Sequence, residues 1–209
     1  MSKSFDFLFD IGGPNGYLTH RVLPEFCART GATANYIPVL LGGLMKATGN
    51  RPPWAVYADV PAKLAYERLE FQRFIDTHGL TRFQMNPHFP INTLPLMRAL
   101  VAAKREGVFI AAVDAMMVAM WEDGLNLADT EVMVSAFDRC GLDGAALCTL
   151  SNDAAVKEEL VRNTEGAAAR GAFGIPTFFV GTEMFFGKER LAQVEEALSS
   201  LPQSASLVG

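Results

Sequence analysis

Two short segments, far apart in the chain, combine residue types that can hold a sulfur ligand. The first, Gly13-Pro14-Asn15-Gly16, lies between an alternating apolar run and an amphipathic segment, which predicts a turn from a strand into a helix. Proline suits the first helical position, because the N–H that it lacks would have no partner within the helix. The N–H groups that remain free at a helix start favour anions, and a thiolate is one of them.

The second segment is Gly174-Ile175-Pro176-Thr177-Phe178-Phe179, in which a proline precedes a β-rich run. A rigid X–Pro bond, cis or trans, can shape one wall of a pocket there. Redox enzymes with this pairing of turn and proline loop carry C-x-x-C at the turn. The first segment has no cysteine. The chain therefore has the turn and the proline loop of a thiol enzyme but lacks the thiols at the turn.

The net charge and the distribution of apolar residues disfavour nucleic-acid-binding and membrane-spanning proteins. The 209 residues carry a net charge of −5, so no overall attraction to nucleic acid or to an anionic membrane is expected. The longest apolar stretch, Val108 to Trp121, contains Asp114 and is too short to cross a bilayer. The first residues lead directly into a predicted strand without a signal-peptide core. We expect a soluble, cytoplasmic protein.

The three cysteines follow no metal-binding or redox spacing. Cys27, Cys140 and Cys148 are therefore expected to be buried small apolar residues in a reducing cytosol. The three histidines do not form a metal-binding pattern with them or with carboxylates. We expect no metal site.

The periodicity predicts an α/β fold whose order of elements changes twice. Residues 5–10, 14–30 and 33–39 read as a βαβ unit, and residues 177–180, 183–186 and 188–200 read as ββα with a Gly181-Thr182 hairpin turn. Almost everything between reads as helix, with segments at 62–77, 93–105, 107–122, 129–139 and 152–170. Residues 107–122 are apolar nearly all round, which predicts a buried helix. This order predicts one small α/β domain, residues 1–40 and 172–209, interrupted by an all-helical insertion, residues 41–171.

The chain resembles the 2-hydroxychromene-2-carboxylate isomerases and their relatives, the kappa-class glutathione transferases, over nearly its whole length. The resemblance is carried by five groups of residues in family-like order: Phe9-Asp10 with Pro14 and Tyr17-Leu18; Leu40 to Gly43 with Lys46 to Asn50; Pro87 to Leu94; Ala119 to Trp121; and Gly174 to Gly181 with Phe186 to Leu191. It implies a thioredoxin-like fold with a helical insertion, glutathione as the cofactor, a homodimer and a role in aromatic degradation.

One position departs from the family. The residue before the turn proline is normally a serine whose hydroxyl holds the glutathione sulfur as a thiolate, and here it is Gly13. A hydrogen bond to a charged group contributes about 1.5–3 kcal/mol, so its loss predicts a smaller thiolate fraction. For the helix itself, exchange of glycine and serine at this position should be nearly silent. Gly13 and Asn15 are thus the candidate catalytic positions, with the Asn15 amide as a substitute donor or as a plain helix-start residue.

The resemblance also implies the residues that bind glutathione. The main chain of Ile175, next to Pro176, would pair with the cysteinyl unit, although Pro176 also reads as a structural strand-entry residue. Asn50 and Lys63 match family positions that contact the glycine carboxylate or bind near the tripeptide, and an ordinary solvated lysine is the alternative for Lys63. The Lys188-Glu189 pair replaces a family Ser-Asp pair, and Glu189 would bind the γ-glutamyl ammonium or simply complement the helix dipole.

The resemblance therefore implies a glutathione-dependent isomerase that acts through a thiolate adduct on an unsaturated aromatic carboxylate. The adduct lets the former double bond rotate before elimination. Two alternatives remain: a catalytically impaired glutathione-binding protein, because of Gly13, or a kappa-like glutathione transferase. A disulfide oxidoreductase is disfavoured, since the turn lacks both thiols.

Overall fold

Four strands form a mixed sheet in the computed structural model, which describes residues 3–201. They are β1 (Ser4–Phe9), β2 (Thr33–Pro38), β3 (Thr177–Val180) and β4 (Glu183–Phe186), in the spatial order β2-β1-β3-β4. The helix α1 (Pro14–Thr30) connects β1 to its parallel neighbour β2, while β3 lies antiparallel to β1 and to β4. The predicted βαβ and ββα units thus join in one sheet through β1 and β3.

The helices between β2 and β3 form the predicted helical block. Their bounds are α2 (Leu41–Thr48), α3 (Pro53–Val56), α4 (Pro61–His78), α5 (Leu94–Arg105), α6 (Phe109–Trp121), α7 (Thr130–Asp138), α8 (Gly144–Leu150) and α9 (Ala154–Ala169). A short 3₁₀ helix (Lys188–Arg190) and α10 (Leu191–Ser200) follow β4. No helix within residues 3–201 has the length and apolar composition needed to span a membrane.

The ends of α1 follow from local sequence. Pro14 occupies its first turn, and Gly31 ends it in the left-handed region at φ 67°, donating its N–H to the Cys27 carbonyl. The hairpin between β3 and β4 turns at Gly181, whose φ of 59° suits the first position of such a turn. These glycines explain why the predicted bounds of α1 and of the hairpin agree with the structure.

The hydrophobic core runs without interruption from the sheet into the helical block. One cluster joins Phe7 and Phe178 of the sheet to Met116 and Trp121 of α6, and α6 is buried on most of its surface as predicted. The division into residues 1–40 with 172–209 and an insertion at 41–171 stays a prediction. If that division is right, the two parts fold around a shared core.

The expectation that the cysteines are buried was wrong. None of the three is fully buried: Cys27 and Cys148 are half-buried, and Cys140 is exposed. Cys140 is exposed because it lies in the short loop after α7, outside any periodic segment that would bury it.

Candidate functional site

The turn between β1 and α1 is held by the carboxylate of Asp10, which is completely buried. One carboxylate oxygen accepts the Gly12 N–H at 2.9 Å, and the other accepts the Leu41 N–H at 2.8 Å and the Thr93 hydroxyl at 3.0 Å. Burial raises the pKa of Asp10, and these three donors oppose that rise. Asp10 thereby connects the turn to the starts of α2 and α5.

The end of α6 fixes the same turn from the other side. The Trp121 indole N–H donates to the Ile11 carbonyl at 2.8 Å, and the next residue, Glu122, accepts the Tyr17 hydroxyl at 2.9 Å. Glu122 also forms an ion pair with Arg82 at 2.6 Å. Burial and the neighbouring Glu122 carboxylate raise the pKa of Tyr17, so this hydroxyl stays protonated and acts as a donor. Tyr17 itself is buried.

The proline loop lies directly against the turn. The Ile175–Pro176 bond is cis, and the Pro176 carbonyl accepts the Gly187 N–H at 3.0 Å. The Asn50 amide donates to the Phe173 carbonyl at 2.8 Å, which ties the end of α2 to the same loop. The loop is therefore fixed on both flanks.

Several polar groups at this junction have no partner within residues 3–201. The main-chain N–H of Asn15 forms no hydrogen bond there, and neither does the main-chain N–H or C=O of Ile175. The side-chain oxygen of Asn15 is buried and also without a partner. Buried polar groups are normally paired, so this group of donors and acceptors fits an extended, anionic ligand such as a tripeptide thiolate.

The space beside Gly13 is filled from the loop. A Cβ at residue 13 would lie 2.3 Å from the Cδ1 of Ile175, closer than nonbonded atoms approach. The expectation that glycine and serine exchange almost silently at residue 13 stays a prediction, and it requires the end of the Ile175 side chain to shift. It considered only the helix cap, whereas the obstacle comes from a residue far away in sequence.

The other predicted glutathione-binding residues, Lys63 and the Lys188-Glu189 pair, differ in how exposed they are. Lys63 is exposed near the start of α4, with its ammonium 4.9 Å from the ring centroid of Tyr57. The Lys188 ammonium is buried beside Glu189 and lies 5.3 Å from the ring centroid of Phe74. The structure brings Gly13 and Ile175, with Pro176, together, whereas the contact that it shows for the Lys63 ammonium within residues 3–201 is the one with Tyr57.

Lys188 and Glu189 line a cleft of about 430 Å³ between the second half of α1, α4 and the start of α10. The nearest α1 residue in its lining, Val22, lies about 12 Å along the helix from Pro14 at the usual rise per residue. On another side of the cleft, the N–H of Gly187, next to Lys188, bonds the Pro176 carbonyl and so connects this edge to the proline loop. Glu189 is better placed than the buried Lys188 to contact a ligand, because its carboxylate is half exposed.

Sequence reasoning assigned no role to Asp10, Thr93 or Glu122, and it treated Trp121 only as a packing residue. Asp10 had a signal, since a lone acid between an apolar strand and a Gly-Gly pair is unusual for a core segment. Thr93 and Glu122 had none, because their partners are distant in the chain.

Known proteins resemble this chain over most of its length. It is 28% identical to the 2-hydroxychromene-2-carboxylate isomerase of Pseudomonas putida, with 94% of each chain covered, and 28% identical to glutathione S-transferase kappa 1 of Rattus norvegicus, with 90% and 88% covered. The solved structure of a 2-hydroxychromene-2-carboxylate isomerase superposes with a TM-score of 0.79 at 26% identity, covering 94% of both chains. The cytosolic disulfide reductase DsbM from Pseudomonas aeruginosa shares the fold, with a TM-score of 0.60 at 18% identity and 94% and 95% coverage.

These similarities confirm the resemblance and the thioredoxin-like α/β fold that the sequence implied. The model of the DSBA-like thioredoxin domain matches residues 5–199. The chain therefore belongs to the DSBA-like thioredoxin domain family.

Proposed function

We propose that this protein is a glutathione-dependent enzyme of the 2-hydroxychromene-2-carboxylate isomerase type. The observation that carries the proposal is the set of unpaired main-chain groups of Asn15 and Ile175 at the contact between the turn and the cis-proline loop. End-to-end similarity to isomerases and kappa-class transferases supports the same reading. The substrate class would be an unsaturated aromatic carboxylate.

Each residue at the junction has a role in this proposal. The Asn15 N–H and the start of α1 stabilise a negative sulfur, which lowers a thiol pKa from its ordinary value of about 8.5. The main chain of Ile175 holds an extended ligand in one register, and Pro176 fixes the direction of that strand. Asn50 keeps the loop in place through Phe173. When bound, glutathione supplies a nucleophile that adds reversibly to a conjugated substrate and so permits rotation about the former double bond.

The outer residues would hold the two ends of the tripeptide. Lys63, which forms no ion pair within the described chain, would take the glycine carboxylate. Glu189 would accept the γ-glutamyl ammonium, with Lys188 buried behind it. We also propose that the protein is a cytoplasmic homodimer that takes part in aromatic degradation.

Isomerisation of 2-hydroxychromene-2-carboxylate, followed with and without glutathione, tests the proposal. We expect turnover that depends on glutathione and that S-methylglutathione, whose sulfur is blocked, does not support. Tight glutathione binding without turnover would instead favour a binding protein.

A kappa-like glutathione transferase is the second candidate, because relatives with that name match 90% to 92% of the chain. It would use the same sulfur site and differ in the second substrate. Glutathione conjugation of an electrophile, without isomerisation of the chromene, would identify it. A disulfide oxidoreductase is disfavoured, because the turn has glycines at residues 13 and 16 where that chemistry needs two thiols.

A further inference from the structure

Gly13 is not required by the backbone conformation of the turn. Its φ of −99° and ψ of 113° lie in the extended region that every L-residue adopts. The backbone would therefore accept another residue at position 13. The nearest neighbour of an added Cβ is the Ile175 side chain, followed by the Asp10 carbonyl oxygen at 3.7 Å. The proline loop thus limits which side chains fit at residue 13.

The Ile175 side chain is held where it lies. Only 8% of the residue is exposed, and it belongs to a small apolar cluster made by Leu8, Val39, Leu44, Ala167, Ala172, Ile175 and Phe179. Branching at Cβ restricts its first torsion angle, and the hydrogen bond at Pro176 fixes its main chain. Its Cδ1 can therefore leave residue 13 only by rotation about the second torsion angle, into the packed apolar cluster. Its Cδ1 also lies 3.7 Å from the position of a Cβ at Gly16, so it covers both glycines of the turn.

We propose that Ile175 keeps residue 13 free of a side chain and so determines which groups can face a bound thiolate. Under the proposed function, on which this inference rests, the sulfur of bound glutathione is stabilised by the main chain and by the Asn15 amide. No side chain at residue 13 contributes. The apolar side chain of Ile175 thus determines which polar groups surround the sulfur. Its main chain can pair with the ligand as well. A serine at residue 13 alone cannot add its hydroxyl to the site in the way the family pattern implies.

A double-mutant cycle tests this inference. The four proteins are the native chain, Gly13→Ser, Ile175→Val and Gly13→Ser with Ile175→Val, since valine lacks only the Cδ1 that blocks residue 13. Gly166→Ser and Ile75→Val serve as matched controls, because a Cβ at Gly166 meets nothing within 4 Å and the half-buried Ile75 packs against the large core cluster, which does not contain Ile175. Thermal unfolding without ligand and ultraviolet titration of the bound glutathione thiol are measured on all of them.

We expect Gly13→Ser to lower the unfolding temperature and Ile175→Val to restore much of that loss in the double variant. We also expect the bound thiol pKa to fall by about one to two units only in the double variant, as a hydroxyl bond to a charged sulfur would give. A Gly13→Ser protein that is as stable as the native one, or that lowers the thiol pKa by itself, would overturn the inference.

Failure of the proposed function is distinguishable from failure of this inference. If no variant binds glutathione, the proposed function fails together with the thiolate role of the pair. The unfolding temperatures still decide whether Ile175 excludes a side chain at residue 13: additive effects overturn that exclusion, and a strong interaction between the two substitutions supports it.

Discussion

Asn15 is the residue at which the chemistry of the turn can be tested most directly. Among the residues that the structure describes, its main-chain N–H and its buried amide oxygen both have no hydrogen-bond partner. Oxygen and nitrogen of such an amide are assigned from their partners, so with none present the amide is free to turn its NH₂ group towards an anion. This makes Asn15 the nearest substitute for the hydroxyl that Gly13 lacks.

Replacement of Asn15 by alanine should raise the pKa of bound glutathione by about one unit, because a hydrogen bond to a charged group contributes about 1.5–3 kcal/mol. Asn15→Asp should raise it further, since a second negative charge then faces the sulfur. Ultraviolet titration of the complex measures both, with the exposed Asn35→Ala as the control. An unchanged thiol pKa in Asn15→Ala would leave Asn15 as a plain helix-start residue.

Asp10 allows a test of how the stability of the folded protein depends on pH. Because burial raises its pKa above the ordinary 3.8, ionisation is harder in the folded chain than in the unfolded one. The native protein should therefore lose stability as the pH rises from about 4 towards the folded pKa, and the loss should then level off.

Asp10→Asn removes this titration and leaves either the Gly12 or the Leu41 N–H facing an amide NH₂, at a cost of about 1–3 kcal/mol. The stability gap between the native protein and the variant should narrow as the pH rises above 4. Urea unfolding at several pH values measures this gap. A gap that widens with pH would mean that the three donors outweigh burial.

Among the elements, α6 is the one that positions the turn. Trp121 and Glu122 at its end bind the turn and α1, respectively, so the helical block sets where the start of α1 lies. Its burial on most of its surface explains how a helix distant in sequence can act as a fixed support.

The Tyr17→Phe substitution removes the hydrogen bond to Glu122 and changes little else. We expect a loss of about 1–3 kcal/mol in the free energy of unfolding, because the buried carboxylate then loses a donor. Tyr66→Phe, at an exposed tyrosine of α4, is the matched control. Equal effects of the two substitutions in chemical denaturation would contradict the supporting role of α6.

Most element types were predictable because their signals are local. The apolar face of α1, its proline and glycine ends and the glycine of the hairpin all act within a few residues. The breaks within the helical block were not resolved, since α3 and α8 are only 4 and 7 residues long and carry little periodicity. Their bounds depend on packing against neighbours.

At the scale of the whole molecule, several apolar side chains of α3, of α4 and of the segment between them are exposed. We expect another protein surface to cover them. Trp54, Val56, Val60, Tyr66 and Leu69 all lie in this short stretch, with Trp54 56% exposed. Apolar residues that are concentrated in this way usually mark an interaction site. A second copy of the chain is the occupant that the proposed homodimer supplies.

We expect the mass in solution to be about twice the 22.7 kDa of one chain. Trp54→Ser combined with Leu69→Ser should shift it towards one chain, whereas Ile110→Ser with Val161→Ser, at exposed positions of α6 and α9, should not. Light scattering after size exclusion measures the mass. A native protein with the mass of one chain would refute the homodimer.

The sequence by itself determined the α/β order of elements, the turn without thiols and the family resemblance, because each depends on neighbouring residues or on motifs in order. Only the tertiary structure decided that Pro176 is cis, that Asp10 joins three segments and that Ile175 occupies the space beside Gly13. The contacts of Asp10 with Leu41 and Thr93, and of Ile175 with Gly13, join residues 31, 83 and 162 positions apart. Their distances depend on how the sheet and the helical block pack together, which no local pattern records.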